Sequence, residues 1–217
     1  MALIVRDCGT GPYQTALALQ EELLARKIAG DADDYLLLVE HEPVYTLGRG
    51  ADAADLRGAD ERLGVQAFRV GRGGGVTFHG PGQLVAYPII SLPHGRDVHR
   101  FVRTLEGVLI DVCAAFGITA QRRVGITGTW VNDLKIASIG VGVRRWTTFH
   151  GVALNVSTDL RFFSYIVPCR MPEVRMTSMA NELGSAPAMA AVRDSFVQRF
   201  RAAFAYDGAA PVAHQSA

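Results

Sequence analysis

Apolar positions along the chain recur at two spacings, and the spacing switches at turn-forming residues. PYQTALALQEELLARK (Pro12 to Lys27) opens with proline and carries Ala16, Leu17, Leu23 and Leu24 at helical intervals. This predicts an early helix that ends before Gly30. YLLLVEH (Tyr35 to His41) is a short apolar run and predicts a buried strand. VQAFRV and LVAYPII (Leu84 to Ile90) predict strands on either side of a glycine-rich loop. HRFVRTLEGVLIDVCAAFG places Val102, Leu105, Leu109 and Val112 on one helical stripe, with Gly117 as a stop. From Thr129 to Val156 the pattern predicts strands, with a tight turn at Asn132-Asp133 and another near Arg145. Phe162 to Met179 has no regular pattern, and Met189 to Phe204 predicts an amphipathic helix.

No internal repeat, low-complexity segment or linker interrupts this order. The expectation is one α+β domain over residues 1–217, with a mixed, largely antiparallel sheet, packed helices and long loops, and a disordered tail over 208–217. Loops of this kind usually carry function.

Composition narrows the class. The chain has 217 residues, 49% hydrophobic and 20% charged, with a formal net charge of +1. That size supports a real core without staples. The charge balance argues against a nucleic-acid binder. No apolar run approaches the ~20 residues that span a bilayer, so no membrane role is expected. The start, MALIVRDCGTG, lacks a basic stretch and a full apolar region, so no secretory leader is expected. The three widely spaced cysteines, Cys8, Cys113 and Cys169, argue for a reducing, cytoplasmic setting. Of the 22 basic residues, only Lys27 and Lys135 are lysine. A retained lysine is informative where its amine must lose a proton, which arginine does not do. Lys27 ends the first helix and reads as a dispensable surface residue; Lys135 does not.

Three stretches can carry chemistry. RGGGVTFHGPGQ (Arg72 to Gln83) has the glycines that let a backbone approach a ligand, or make a wide surface turn. It is neither a Walker loop nor a dinucleotide fingerprint. Arg72 can reach a carboxylate, a phosphate or a backbone carbonyl. His79 taken alone is a hydrogen-bonded structural histidine. In LKIASIGVGV, strand alternation puts Lys135, Ala137, Ile139, Val141 and Val143 on one face and Ile136, Ser138, Gly140 and Gly142 on the other. Lys135 then sits either at a wet strand end or in a dry pocket with a lowered pKa. The small face suits a ligand or close strand packing. In SYIVPCRMPEVRMTS, Cys169 follows a proline and precedes Arg170, whose charge favours a thiolate. A lone loop cysteine is more often unreactive. Cys8 and Cys113 read as inert small hydrophobes. His41, His94, His99 and His214 lack ligand spacing, so no metal site is expected.

Together, RGGGVTFHGPGQLVAYPI, GTWVNDLKIASIGVGV, TTFHGVALNV and VPC followed by MTS resemble the lipoyl(octanoyl) transferases of the biotin/lipoate protein-ligase superfamily. The resemblance spans Glu40 to Met179. It implies that fold, and a reaction moving an octanoyl group from acyl carrier protein to a lysine of a lipoyl domain, on a 2-oxoacid dehydrogenase complex or the glycine-cleavage H protein. It implies Cys169 as nucleophile and Lys135 as its partner. The acyl pocket falls on Arg72, Gly73, Gly74, Gly75, Val76, Thr77, Phe78 and His79, on Ser138, Ile139 and Gly140, and on Gly151, Val152 and Ala153. Thr77 and His79 would orient the amine or the carbonyl. No cofactor is implied, because a thioester is already activated, and the chain is expected to act as a monomer. At ~0.8 kcal/mol per buried methylene, the octanoyl chain would contribute about 5 kcal/mol of binding. Arg144-Arg145, Arg122-Arg123 and Arg96/Arg100/Arg103 either steer acidic protein substrates or are solvated surface. One departure stands out: the family usually has glycine where Arg170 follows the cysteine. Two rival readings are an ATP-dependent lipoate or biotin ligase, and a catalytically silent module that binds lipoyl domains or carrier protein.

Overall fold

Two strands set the architecture. β2 (Asp34–His41) and β6 (Gln83–Ile89) are buried along almost their whole length. Unbroken apolar runs of this kind require cover on both faces of a sheet. The structure is a computed structural model that describes residues 2–92, 97–168, 173–206 and 213–214. The expectations for His94, Arg96, Cys169, Arg170 and most of the tail lie outside the described residues.

Among the described residues, β2 and β6 lie inside a nine-stranded mixed sheet. Its order runs β12 (Ala213–His214), β1 (Leu3–Gly11), β2, β6, β10 (Thr147–Asn155), β9 (Leu134–Arg144), β8 (Ile126–Val131) and β7 (Gln121–Arg123). β11 (Arg175–Met176) pairs with β9 off this path. β12–β1, β1–β2 and β11–β9 are parallel and the other pairs antiparallel, so the sheet is mixed and largely antiparallel. Helices α3 (Val98–Ala115) and α6 (Met189–Ala203) cover one face through Phe101, Leu105, Leu109, Phe196 and Phe200. Asp97 caps α3 by accepting from the Arg100 amide at 2.9 Å. Helix α1 (Tyr13–Ile28) covers the other face through Leu23 and Leu24 against Tyr35, Leu37 and Val85.

A second, three-stranded sheet was not foreseen. β4 (Gln66–Arg69), β3 (Val44–Leu47) and β5 (Val76–His79) form it in the order β4-β3-β5, with the short helix α2 (Ala59–Leu63) in the connection from β3 to β4. The glycine-rich stretch is therefore loop as far as Gly75, strand over Val76–His79, and turn from Gly80 to Gly82. The described residues of the Phe162–Met179 stretch are irregular apart from the end of α4 (Arg161–Ser164), β11 and the first residue of α5 (Met179–Leu183). In the tail, the described residues Ala213–His214 pair with β1.

Lys27 corrects the sequence reading. Its side chain is 3% exposed and its Nζ lies 2.8 Å from Oδ1 of Asp34, itself 1% exposed. The ammonium also donates to the carbonyls of Asp31 and Ala32 at 3.0 and 3.3 Å. A compact three-donor cation fits this corner, so lysine is retained here for shape rather than for proton loss. Asp34 further accepts from Tyr206 Oη at 2.6 Å and from the Ser91 amide at 3.2 Å. Lys27→Met leaves a buried carboxylate without its counter-charge. Urea titration should show a loss of about 3 kcal/mol in unfolding free energy; a change within error would mean that the pair is dispensable.

Candidate active site

One extra residue decides which face of β9 carries Lys135. Thr129 and Trp130 are neighbours on β8, yet they pair with Ala137 and Lys135 on β9. Ile136 is the surplus residue of a β-bulge. Ile136 and Ala137 consequently both join the core beneath α3 and α6. Lys135 departs from the simple alternation: it leaves the Ala137 face and joins the one that carries Ser138 and Gly140. It is 2% exposed. Its Nζ lies 5.5 Å from the Trp130 ring centroid, a cation–π contact. Gly128 makes room for it, since a Cβ there would stand 2.6 Å from Lys135 Cε. The Thr177 amide donates to the Lys135 carbonyl at 2.9 Å, and Met176 pairs with Lys135 across the sheet.

On the same face lies a mostly apolar cleft. Of the residues named from the sequence, Arg72, Gly74, Thr77, His79, Ser138, Ile139, Gly140, Gly151, Val152 and Ala153 line it. Alternation along β5 separates the remainder. Thr77 and His79 face the cleft, while Val76 and Phe78 turn into a third core cluster, Phe78 stacked on Phe162 at 4.4 Å. Gly73 and Gly75 act through their backbones: the Gly73 amide donates to Val141 O at 2.8 Å and Gly75 O accepts from the Gly48 amide at 3.2 Å. Cys169 and Arg170 lie outside the described residues. The chain that brackets them is anchored, with Pro168 bridged to Val76 and Met176 paired with Lys135.

Arg72 is a brace. Its guanidinium donates to the carbonyls of Thr46 and Gly73 at 2.7 and 2.9 Å and to Thr46 Oγ1 at 2.8 Å. Of the acceptors open to it from sequence, it uses backbone carbonyls. Its stem and Gly73 O lie where a Cβ on Gly140 would sit, at 2.9 and 3.0 Å, and the Phe149 ring occupies that place over Gly142. The small face of β9 thus serves close packing as well as the cleft.

Sequence reasoning missed Tyr13, Val85, Tyr87 and His150, which complete the lining. Val85 and Tyr87 were legible as one face of β6, whereas nothing local marks Tyr13. Burial pushes His41 and His150 down to about 4 and holds His79 well below the usual histidine range. All three are neutral imidazoles at neutral pH. Burial pushes Tyr13 up to about 12 and holds Tyr87 well above the usual phenol range, so both stay phenols. Burial also raises Cys8 and takes Cys113 up to about 12, which suits neither to attack as a thiolate.

The arginines singled out for steering are partly engaged at home. Arg103 and Arg122 share the buried carboxylate of Glu106 at 2.7 and 3.3 Å. Arg123 pairs with Asp133 at 3.0 Å and lies 4.9 Å over the Trp130 ring. Glu106 also accepts from the Gly128 amide at 3.0 Å, tying α3 to the strand beside Lys135.

Comparison with known proteins identifies the family. Residues 12–201 match the lipoyl protein ligase A/B catalytic domain. An octanoyltransferase of Geobacter metallireducens is 48% identical over 202 residues, covering 91% of this chain and 92% of that protein. One from Solibacter usitatus is 46% identical over 207 residues, covering 94% and 93%. Lipoate-protein ligase A bound with ATP superposes with a TM-score of 0.79 at 18% identity, covering 100% of this chain and 90% of its own. The bi-partite lipoate protein ligase from Thermoplasma acidophilum gives the same TM-score and identity, covering 100% and 88%. At that identity the two structures establish a shared fold. The chain belongs to the lipoyl protein ligase A/B catalytic-domain family.

Proposed function

We propose that this chain transfers an octanoyl group from the thioester of an acyl carrier protein to a lysine of a lipoyl domain, through a thioester on Cys169. Lys135 carries the reading: a lysine turned by a bulge onto the strand face that carries Ser138 and Gly140 of the apolar cleft, its backbone fixed to the segment that follows Cys169. The octanoyltransferase relatives, matched over most of their length, support the same acyl group.

The chemistry follows from the side chains. At the reference values of about 8.5 for cysteine and 10.4 for lysine, little of the thiol is ionised at neutral pH. An ammonium beside the sulfur favours the thiolate, and a neutral amine takes its proton. The thiolate attacks the thioester carbonyl, the new carbon–sulfur bond replaces the old one, and the carrier sulfur leaves with the proton held by Lys135. The exchange is nearly neutral and needs no ATP. The amine of the lipoyl domain then attacks, its proton returns to the Cys169 sulfur, and the amide product is stable. The cleft walls of Val85, Ile139, Val152 and Ala153 shelter the acyl chain.

The rival within the fold is adenylation of a free acid. Octanoyl carrier protein with a lipoyl domain and no ATP should yield octanoylated domain; free octanoate with ATP should yield none. Product from the second mixture alone overturns the transferase in favour of a ligase. Product from neither leaves the silent binding module as the better description.

A further inference from the structure

A buried chain of hydrogen bonds runs from the cleft to the backbone of Lys135, and its polarity is fixed from both ends. Arginine is a permanent donor. Arg72 Nη2 and Nε donate to Thr46 Oγ1 at 2.8 and 3.3 Å, filling both lone pairs of that oxygen. The Thr46 hydroxyl keeps one hydrogen to give, and His79 Nε2 lies 3.4 Å away.

At the other end the Thr177 carbonyl accepts from Asn155 Nδ2 at 3.0 Å, which fixes the Asn155 amide. Asn155 Oδ1 then accepts from Gln83 Nε2 at 2.9 Å, and the same nitrogen donates to Phe78 O at 3.3 Å. Gln83 Oε1 is left to accept from His79 Nδ1 at 2.7 Å. Both ends demand the same imidazole: a hydrogen on Nδ1 and a lone pair on Nε2. At 3.4 Å the bond from Thr46 is long, so that lone pair is only weakly engaged.

We propose that Gln83 and Asn155 are positioning residues that hold His79 as its Nδ1–H tautomer, so that Nε2 accepts an N–H of the incoming lysine amine. The proposal deepens the transferase reading and rests on it. Accepting one N–H turns the amine's own lone pair toward the acyl carbon, while the proton released on attack still goes to the Cys169 sulfur. The groups that face His79 are Arg72, His41 on β2 and His150 on β10. Burial acts first to keep the imidazole neutral; the three facing groups act the same way and the Gln83 bond opposes them. The same chain continues through the Thr177 amide to Lys135 O, so one network sets the backbone of the lysine and the tautomer of the histidine.

Nitrogen NMR of labelled histidine reads the tautomer, and single-turnover assays separate enzyme acylation from transfer to the lipoyl domain. In wild type, His79 should show the Nδ1–H form. Gln83→Leu should shift the tautomer and slow transfer by about tenfold, one hydrogen bond's worth, with acylation nearly unchanged. Gln83→Glu keeps the acceptor but places a carboxylate beside the ring, which raises the histidine pKa. Its transfer rate should fall as pH drops through that raised value, because a protonated Nε2 accepts nothing; wild type should lack this step. An Nε2–H signal in wild type overturns the proposal, even should the leucine variant fail to fold. Equal slowing of both half-reactions in a folded Gln83→Leu protein also overturns it. A wild-type protein that shows the Nδ1–H form but transfers no octanoyl group rejects the function, and with it the role toward the amine.

Discussion

Lys135→Arg is expected to leave the fold intact and to lower octanoyl transfer about 10²–10⁴-fold, the usual worth of a positioned acid–base group. The substitution keeps a positive charge beside Trp130, so it isolates proton exchange from electrostatics. A guanidinium favours the Cys169 thiolate but neither takes the thiol proton nor returns one to the departing sulfur. Lys135→Met removes the charge as well and should lose at least as much. Matching thermal unfolding of the three proteins would show that the loss is chemical. The space left by Gly128 is tight, so this check matters: a Cβ on that residue would lie 3.3 Å from Nζ. Near-wild-type turnover in Lys135→Arg would mean that the titration of this lysine plays no part.

Cys169→Ala is expected to be at least as damaging, because it removes the covalent intermediate itself. The structure narrows the choice of nucleophile by its treatment of the other cysteines, since burial raises both the Cys8 and the Cys113 thiols. Residues that act as one unit are not additive. The double variant Cys169→Ala, Lys135→Met should therefore be no slower than Cys169→Ala alone. A further loss on adding Lys135→Met would mean that the two side chains act in separate steps.

Much of the fold was legible because its elements follow simple periods. The helices at Tyr13–Ile28, Val98–Ala115 and Met189–Ala203 announce themselves by apolar stripes, and β2 and β6 by unbroken apolar runs. The bulge at Ile136 was not legible, because alternation assumes one residue per step and a surplus residue reverses every face beyond it. That reversal puts Lys135 on the strand face that carries Ser138 and Gly140, two residues of the cleft lining. The small sheet was missed because Val76–His79 sits among five glycines and a proline in Arg72 to Gln83. Once it is seen as a strand, the division between Thr77 and His79 in the cleft and Val76 and Phe78 in the core follows from the pleat. Lys27 misled because the end of a surface helix is normally wet, whereas here the chain folds back and buries it on Asp34. Tyr13 and His150 reach the cleft from α1 and β10, a convergence that no local pattern encodes.

The proposed transfer depends most on a sulfur that carries the acyl group between two protein substrates. Intact-mass spectrometry after mixing the protein with octanoyl carrier protein, with no lipoyl domain present, measures this directly. One octanoyl group should appear on the wild-type chain, map to Cys169, come off with hydroxylamine as a thioester does, and be absent from Cys169→Ala. Octanoyl transfer proceeding at full rate through an unmodified wild-type chain, or undiminished in Cys169→Ala, would contradict it.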